Sequence, residues 1–196
     1  MLYDERMLIR EKGDIDLWIT RHALKWWGRS LTLDAIVSAV SEWTPIIMVG
    51  LIAVEAFGVG LPASPKPFGR PGMMAVMAVV TAVLARIINE PMGVMLHRPR
   101  PFESVGFIPL VGHDAGDSFP SNHATGAFAL AIAMTGVPGY GHLLLVLGTM
   151  LALSRVYVGL HYLTDVVAGA IHGTVVAWIV RLLFQSLHIL SHSGAW

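Results

Sequence analysis

No cysteine occurs anywhere in the 196-residue chain. Disulfides, thiolate metal sites and a cysteine nucleophile are therefore excluded. Charge is scarce as well: Asp, Glu, Lys and Arg make up 13% of the residues, about half of the roughly 25% usual in soluble domains. Neither sign prevails, with 13 basic and 13 acidic residues and a formal net charge of zero. There is no basic tract, so nucleic acid is not an expected partner. The stretch from Met1 to Asp16 is charged throughout, and no cleavable signal peptide is expected there. Internal repeats and low-complexity tracts are also missing.

What fills the chain is apolar. Hydrophobic residues make up 55% and the mean hydropathy is +0.64, which reads as an integral membrane protein of all-α class. Ten Met and twenty Gly suit helix packing in lipid, where small residues allow close approach.

The first thirty residues are mixed. Leu17, Trp18, Ile19, Leu24, Trp26 and Trp27 alternate with Arg21, His22, Lys25 and Arg29. This pattern predicts an amphipathic helix, either lying in the membrane interface or packed on the other helices. Residues 31–196 are expected to form a single transmembrane domain. A first span is expected over 32–60, interrupted by Asp34, Glu42 and Glu55, and a proline-rich loop from Gly60 to Gly72. A second span, Met73 to Leu96, contains Arg86 and Glu90 four residues apart on one face; the spacing favours a structural ion pair over the alternative of a catalytic role. Pro91 is expected to kink that helix. A third span begins near Pro120 and ends before Gly136-Val137-Pro138-Gly139. The fourth runs from His142 to Tyr157, and the fifth from His161 to Leu187 with Gly169 and Gly173 for packing. The expected fold is thus about five transmembrane helices plus the N-terminal amphipathic helix.

Polar residues concentrate at the ends of these spans, in three clusters. They are Arg98-Pro99-Arg100-Pro101-Phe102; Ser118-Phe119-Pro120-Ser121-Asn122-His123; and Ser154-Arg155 followed by His161 and Asp165. The second and third clusters are separated by two spans, so all three emerge on one side of the membrane. Pro120 and Ser121 are favoured types at a helix start, where free N–H groups and the dipole attract anions. His123 lies just inside; a lone histidine there is by default a solvated residue. Arg100 and Arg155 suit a bidentate grip on phosphate. Arg98 fits a simple headgroup anchor. His161 and Asp165 share a face if helical. A carboxylate on one ring nitrogen leaves the other as a nucleophile or base, although a purely structural bond is the alternative. Together these residues point to phosphoryl transfer at a phosphate-handling site. No acid and histidine set shows metal-ligand spacing, so no metal or other cofactor is expected.

The clusters resemble the three signature motifs of the type 2 phosphatidic acid phosphatase superfamily. The third motif reads Ser-Arg, five residues, His, three residues, Asp, and Ser154, Arg155, His161 and Asp165 fit it throughout. The second, Pro-Ser-Gly-His, appears as Pro120-Ser121-Asn122-His123. The first, Lys, six residues, Arg-Pro, appears with Arg100-Pro101 but with Gly93 in place of Lys. Asn122 in the second motif and the run from His97 to Phe102 resemble the bacterial undecaprenyl-diphosphate phosphatases of that superfamily. The resemblance implies that His161 attacks phosphorus to form a phosphohistidine, with Asp165 orienting it. Arg100, Ser121, Asn122 and Arg155 would bind the phosphate, and His123 would serve as acid and then base. His97 and Arg98 are auxiliary candidates for the missing cation. The implied partner is a polyprenyl diphosphate in the bilayer of the bacterial plasma membrane, with the site on the outer face and the lipid carrier recycled. Six basic residues between Arg6 and Arg29 would instead make that face cytoplasmic. Phosphatidic acid and phosphatidylglycerol phosphate are alternative substrates. A non-enzymatic lipid-binding or transport protein is the alternative of another class.

Overall fold

The computed structural model describes residues 14–56, 71–113, 115–137 and 139–193. Within them the chain is helical, with no strand among the described residues. The helices are α1 Ile15–Leu24, α2 Leu31–Ala56, α3 Pro71–Leu96, α4 Pro101–Val105, α5 Asn122–Ala133, α6 Tyr140–Tyr157 and α7 Leu163–Ser193, with a 3₁₀ turn at Met134–Gly136 before α6. The loop expected from Gly60 to Gly72 lies outside the described residues up to Arg70. α3 already begins at Pro71, a position where the missing proline N–H costs nothing. Pro45 and Pro91 lie inside α2 and α3, and neither ends its helix.

Among the described residues four helical segments are long and apolar enough to cross a membrane: Leu31–Ala56, Met73–Val105, Tyr140–Tyr157 and Leu163–Ser186. Their outer faces carry large apolar side chains such as Ile46, Val76, Ile87, Val146 and Leu182. A water-soluble protein rarely exposes so much contiguous apolar surface; lipid is the solvent that fits it.

The expected third span departs from this pattern. α5 has 12 residues, roughly 18 Å of helix, well short of the roughly 30 Å hydrocarbon core. It is apolar because it is enclosed, packed between α3, α6 and α7. Its Ala124, Ala127, Ala129, Ala131 and Ala133 are buried, and their small side chains let the neighbours close in. A Cβ on Gly169 would sit 2.6 Å from the Ser121 carbonyl, and one on Gly173 would strike the Thr125 carbonyl. The α5–α7 contact therefore requires glycine at both places, as in close-packed membrane helices. This contact fixes the start of α5 against the start of α7.

The N-terminal helix is tied to that same end. Asp14 caps α1 by accepting from the Asp16 and Leu17 amides at 3.0 and 3.3 Å. Trp18 in α1 and Trp26 in the turn after it are exposed. Trp27 is committed elsewhere: its Nε1 donates to the Tyr157 carbonyl at 2.9 Å, and its ring meets Phe107 edge-on. Of the basic residues counted for sidedness, Arg6, Arg10 and Lys12 lie outside the described residues. Asp34, at the start of α2, is buried and accepts from the Gly28 amide and the Tyr157 hydroxyl, both at 2.7 Å.

Candidate active site

The third motif forms a tight reversal after α6. Gly159 adopts φ of +83°, and a Cβ there would lie 2.5 Å from the Phe107 ring. The amides of Leu160 and His161 both bond to the Arg155 carbonyl, at 3.1 and 3.2 Å. His161 is therefore held in the turn before α7 and is not part of a helix with Asp165, contrary to the helical reading of their spacing. It is 3% exposed.

Two contacts define the imidazole. Nδ1 lies 2.8 Å from the Ser118 carbonyl oxygen, and the Asp165 carboxylate is 3.8 Å away. A carbonyl only accepts, so Nδ1 carries the proton and Nε2 keeps a lone pair. Arg100 Nη1 lies 3.2 Å from Nε2 and donates toward it. Burial is the main influence on the ring and pushes its pKa down to about 4, because a dry site disfavours the imidazolium. His161 is thus a neutral base with its free nitrogen aimed at a guanidinium.

Asp165 acts one step further back. Its carboxylate accepts the Ser118 hydroxyl at 2.5 Å, the Tyr162 amide at 2.9 Å and Arg98 Nη1 at 2.6 Å. It thereby fixes Ser118, whose carbonyl fixes His161. Asp165 thus reaches His161 in two ways, directly across 3.8 Å and through Ser118. Ser118 is absent from the expected site residues, although it heads the second cluster.

The arginines divide into two roles. Arg98 is neither a headgroup anchor nor a substitute for the missing lysine. It donates to Asp165 and to Thr164, at 2.6 and 2.7 Å, and to Asp16 at 2.7 Å. It also stacks over the Tyr162 ring at 4.1 Å. Asp16 accepts the Thr164 amide at 3.0 Å and also the Thr164 hydroxyl, so α1 is bolted to the third motif. Nothing in the local sequence around Asp16 signals this. His97, the other auxiliary candidate, is exposed and pairs with Asp117 at 3.2 Å.

Arg100 and Arg155 are buried and only partly satisfied. Arg100 starts α4, with its amide bonded to Glu103 at 2.9 Å, and Nη1 donates to the Leu160 carbonyl at 3.1 Å. Arg155 Nη1 donates to the carbonyl and hydroxyl of Ser41 at 3.2 and 2.8 Å. The Nε atoms of both are buried without a hydrogen-bond partner. Buried donors normally find partners; an oxyanion binding between these guanidinia would supply them.

The second motif caps α5. Ser121 is the N-cap, with its hydroxyl accepting from the Ala124 amide at 3.4 Å and its own amide bonded to the Asp165 carbonyl at 3.0 Å. Pro120 precedes the cap, two positions before the first helical residue, Asn122. Asn122 is turned into the bundle: its side-chain oxygen accepts from Asn89 at 2.8 Å, and Asn89 bonds onward to Thr125 at 2.9 Å and His172 at 2.5 Å. Only its amide nitrogen remains for an anion. His123 is near enough for the charges of Arg155, His161 and Arg86 to act on it, and it lines a cavity of about 200 Å³.

Gly93, in place of the motif lysine, packs against the loop that carries Ser118. A Cβ there would lie 3.3 Å from the Phe119 carbonyl and 3.5 Å from Asp117 Cβ. Arg86 and Glu90 do not form the expected ion pair among the described residues. Both are exposed, and Arg86 lines the cavity beside His123.

Comparison with known proteins agrees with this arrangement. The PAP2 superfamily model matches residues 74–188. The undecaprenyl-diphosphatase BcrC of Bacillus subtilis is 33% identical over 153 residues, covering 78% of this chain and 73% of that protein. A lipid A 1-phosphatase of Rhizobium johnstonii is 34% identical over 117 residues, 57% of this chain and 47% of that protein. Among solved structures, a transmembrane PAP2 type phosphatidylglycerolphosphate phosphatase from Bacillus subtilis superposes with a TM-score of 0.67 at 21% identity, covering 87% of this chain and 85% of that one. The fold, the motif residues gathered at one end of it and the extent of the family match together show that the chain belongs to the PAP2 superfamily of membrane lipid phosphatases.

Proposed function

We propose that this protein hydrolyses a polyprenyl diphosphate, undecaprenyl diphosphate above all, to the lipid phosphate and inorganic phosphate. The observation that carries the reading is the state of His161. Its Nδ1 is held by the Ser118 carbonyl at 2.8 Å while Nε2 faces Arg100 at 3.2 Å. A buried, neutral imidazole pointed at a guanidinium is arranged to attack the centre of an anion. The similarity to the Bacillus subtilis undecaprenyl-diphosphatase supports the choice of lipid.

In this mechanism Nε2 of His161 forms a bond to the terminal phosphorus as the bond from phosphorus to the bridging oxygen breaks. The three equatorial oxygens lie against Arg100, Arg155 and the start of α5, where Ser121 and the first free amides donate. Charge on those oxygens is what the site must stabilise. His123, which takes up a proton once the negative charge of the diphosphate is bound beside it, gives that proton to the departing lipid-phosphate oxygen. It then takes a proton from water as that water attacks the phosphohistidine, which releases phosphate and returns His161 to its neutral form. Asp165, Ser118 and Arg98 hold the geometry.

Phosphate release from undecaprenyl diphosphate in detergent, with chelator present, tests the reading against phosphatidic acid and phosphatidylglycerol phosphate. Undecaprenyl diphosphate is expected to be turned over fastest. His161→Ala is expected to be inactive on all three, and acid-labile phosphate should not be trapped on it. Wild-type turnover by His161→Ala would overturn the mechanism. No phosphate release by the wild type would favour a binding or transport role.

We also propose that the protein lies in the bacterial plasma membrane with this site on the extracytoplasmic face, and that residues 1–30 form an N-terminal segment on a catalytic domain of residues 31–196. The bonds from Asp16 to Thr164 and Arg98 hold α1 at the catalytic end. Labelling of a single cysteine introduced between residues 104 and 113 in intact cells reports the face.

A further inference from the structure

Arg86 is a charged side chain whose position the phosphoryl site does not account for. It projects from the middle of α3, a helix that crosses the membrane. A charge at that depth is costly, and in membrane proteins it normally faces a cavity or a partner. Glu90, one turn away, does not pair with it, and no other described residue forms an ion pair with it. Arg86 instead lines the cavity of about 200 Å³ that is also lined by Asn122 and His123. The remaining wall is apolar and includes Met48, Leu130 and Leu151.

His123 is the residue shared between this cavity and the phosphoryl site. In the mechanism above it donates its proton to the leaving oxygen. The group attached to that oxygen must therefore lie on the side of His123 that opens into the cavity. For a phosphate monoester, that group is an alcohol carbon. For a diphosphate, it is a second phosphate bearing negative charge, followed by the lipid tail. The cavity wall holds a matching set of groups: a histidine, an arginine and apolar side chains. Its volume corresponds to several times the roughly 30 Å³ of a liquid water. That accommodates a phosphate and the first part of a chain, with the rest continuing into lipid.

We infer that Arg86 binds the lipid-side phosphate of a diphosphate substrate, and so sets the preference for diphosphates over monophosphates. The inference rests on the proposed role of His123. It also supplies a cation that Gly93 cannot, from the same helix about two turns earlier. An arginine suits the task because its planar fork can grip two phosphate oxygens at once. The amide nitrogen of Asn122, whose oxygen is held by Asn89, is a second donor in the same wall.

The test compares farnesyl diphosphate with farnesyl phosphate, which share a tail and differ by one phosphate. Initial rates are measured on the full-length protein in detergent for the wild type, Arg86→Gln and Arg86→Lys. Where the monophosphate is not turned over, its inhibition constant replaces its KM. The Gln variant is expected to lose about 10- to 100-fold in kcat/KM for the diphosphate, the range of a lost charge-assisted bond, and to change less than about threefold for the monophosphate. The Lys variant should fall between. Its retained charge also guards against a failure of Arg86→Gln to fold. Equal losses on both lipids, or none on the diphosphate, would overturn the inference while leaving the proposed function standing. A wild type that releases no phosphate from either lipid overturns that function and the inference with it.

Discussion

Nδ1 of His161 lies 2.8 Å from the backbone carbonyl of Ser118. The carboxylate of Asp165, four residues along, is 3.8 Å from the same nitrogen and is occupied by the Ser118 hydroxyl, the Tyr162 amide and Arg98. A backbone carbonyl cannot titrate, so the tautomer of His161 is set independently of pH. The charge of Asp165 is used to hold the strut.

Asp165→Asn should therefore be impaired without being dead. The Ser118 carbonyl still selects the tautomer, but Ser118 and Arg98 lose their anchor. A loss of about 10- to 100-fold in kcat is expected, the range for groups that position a reacting side chain. His161→Ala should show no turnover at all. If Asp165→Asn were as inactive as His161→Ala with an unchanged melting temperature, the carboxylate would have to act on the imidazole directly.

The depressed pKa of His161 has a signed consequence for stability. Burial lowers it to about 4 from an ordinary value near 6.5. Between those two values the unfolded chain binds the proton and the folded protein does not. Stability attributable to this group is full above about pH 6.5, falls as the pH drops towards 4, and falls no further below that. Melting temperatures of the wild type and His161→Asn, measured in detergent from pH 4 to 8, should converge towards acid. The same shift keeps the proposed nucleophile neutral in mildly acidic buffer. A wild type and variant whose curves run parallel would count against a buried neutral His161.

Restoring the motif lysine should do harm. Gly93 faces the loop of Asp117 and Phe119, and a Cβ would lie 3.3 Å from the Phe119 carbonyl. That loop delivers the Ser118 carbonyl to His161. Gly93→Lys is expected to cost about 1–3 kcal/mol, as overpacking does, and to lower kcat for the diphosphate. Gly93→Ala should show a smaller effect of the same sign. A gain in kcat/KM for Gly93→Lys would mean that the loop yields and that the lysine reaches the phosphate.

Much of the fold could be read from the apolar runs, because a lipid-facing helix shows itself by composition and length. Four expected spans match helices to within a few residues. α5 was harder, since an enclosed alanine-rich helix shows no lipid-facing stripe and packing rather than composition sets its length. The site was legible where side chains carry the chemistry, as at Arg100, His161 and Arg155. It was not legible where backbone or distant partners do. The Ser118 carbonyl leaves no trace in residue type, and Ser41 and Asp16 meet their arginines across 114 and 82 residues. Spacing also misled at Arg86 and Glu90, because a four-residue interval permits an ion pair without requiring one.

Asp16 offers a separate way to probe the support of the site. It is buried, and it accepts from Arg98 and from both the amide and the hydroxyl of Thr164. Removing the carboxylate in Asp16→Ala leaves the Thr164 amide unpaired and Arg98 with Asp165 and Thr164 alone. A destabilisation of about 1–3 kcal/mol is expected for such a loss. Because α1 is held at the catalytic end by these bonds and by Trp27, its release should make Arg21 and Lys25 more accessible. Trypsin should then cleave near those residues faster in the variant than in the wild type, in intact detergent-solubilised protein. Activity should fall less than in Asp165→Asn, since Arg98 still reaches Asp165. Unchanged cleavage together with a full loss of turnover would instead assign Asp16 to the reaction.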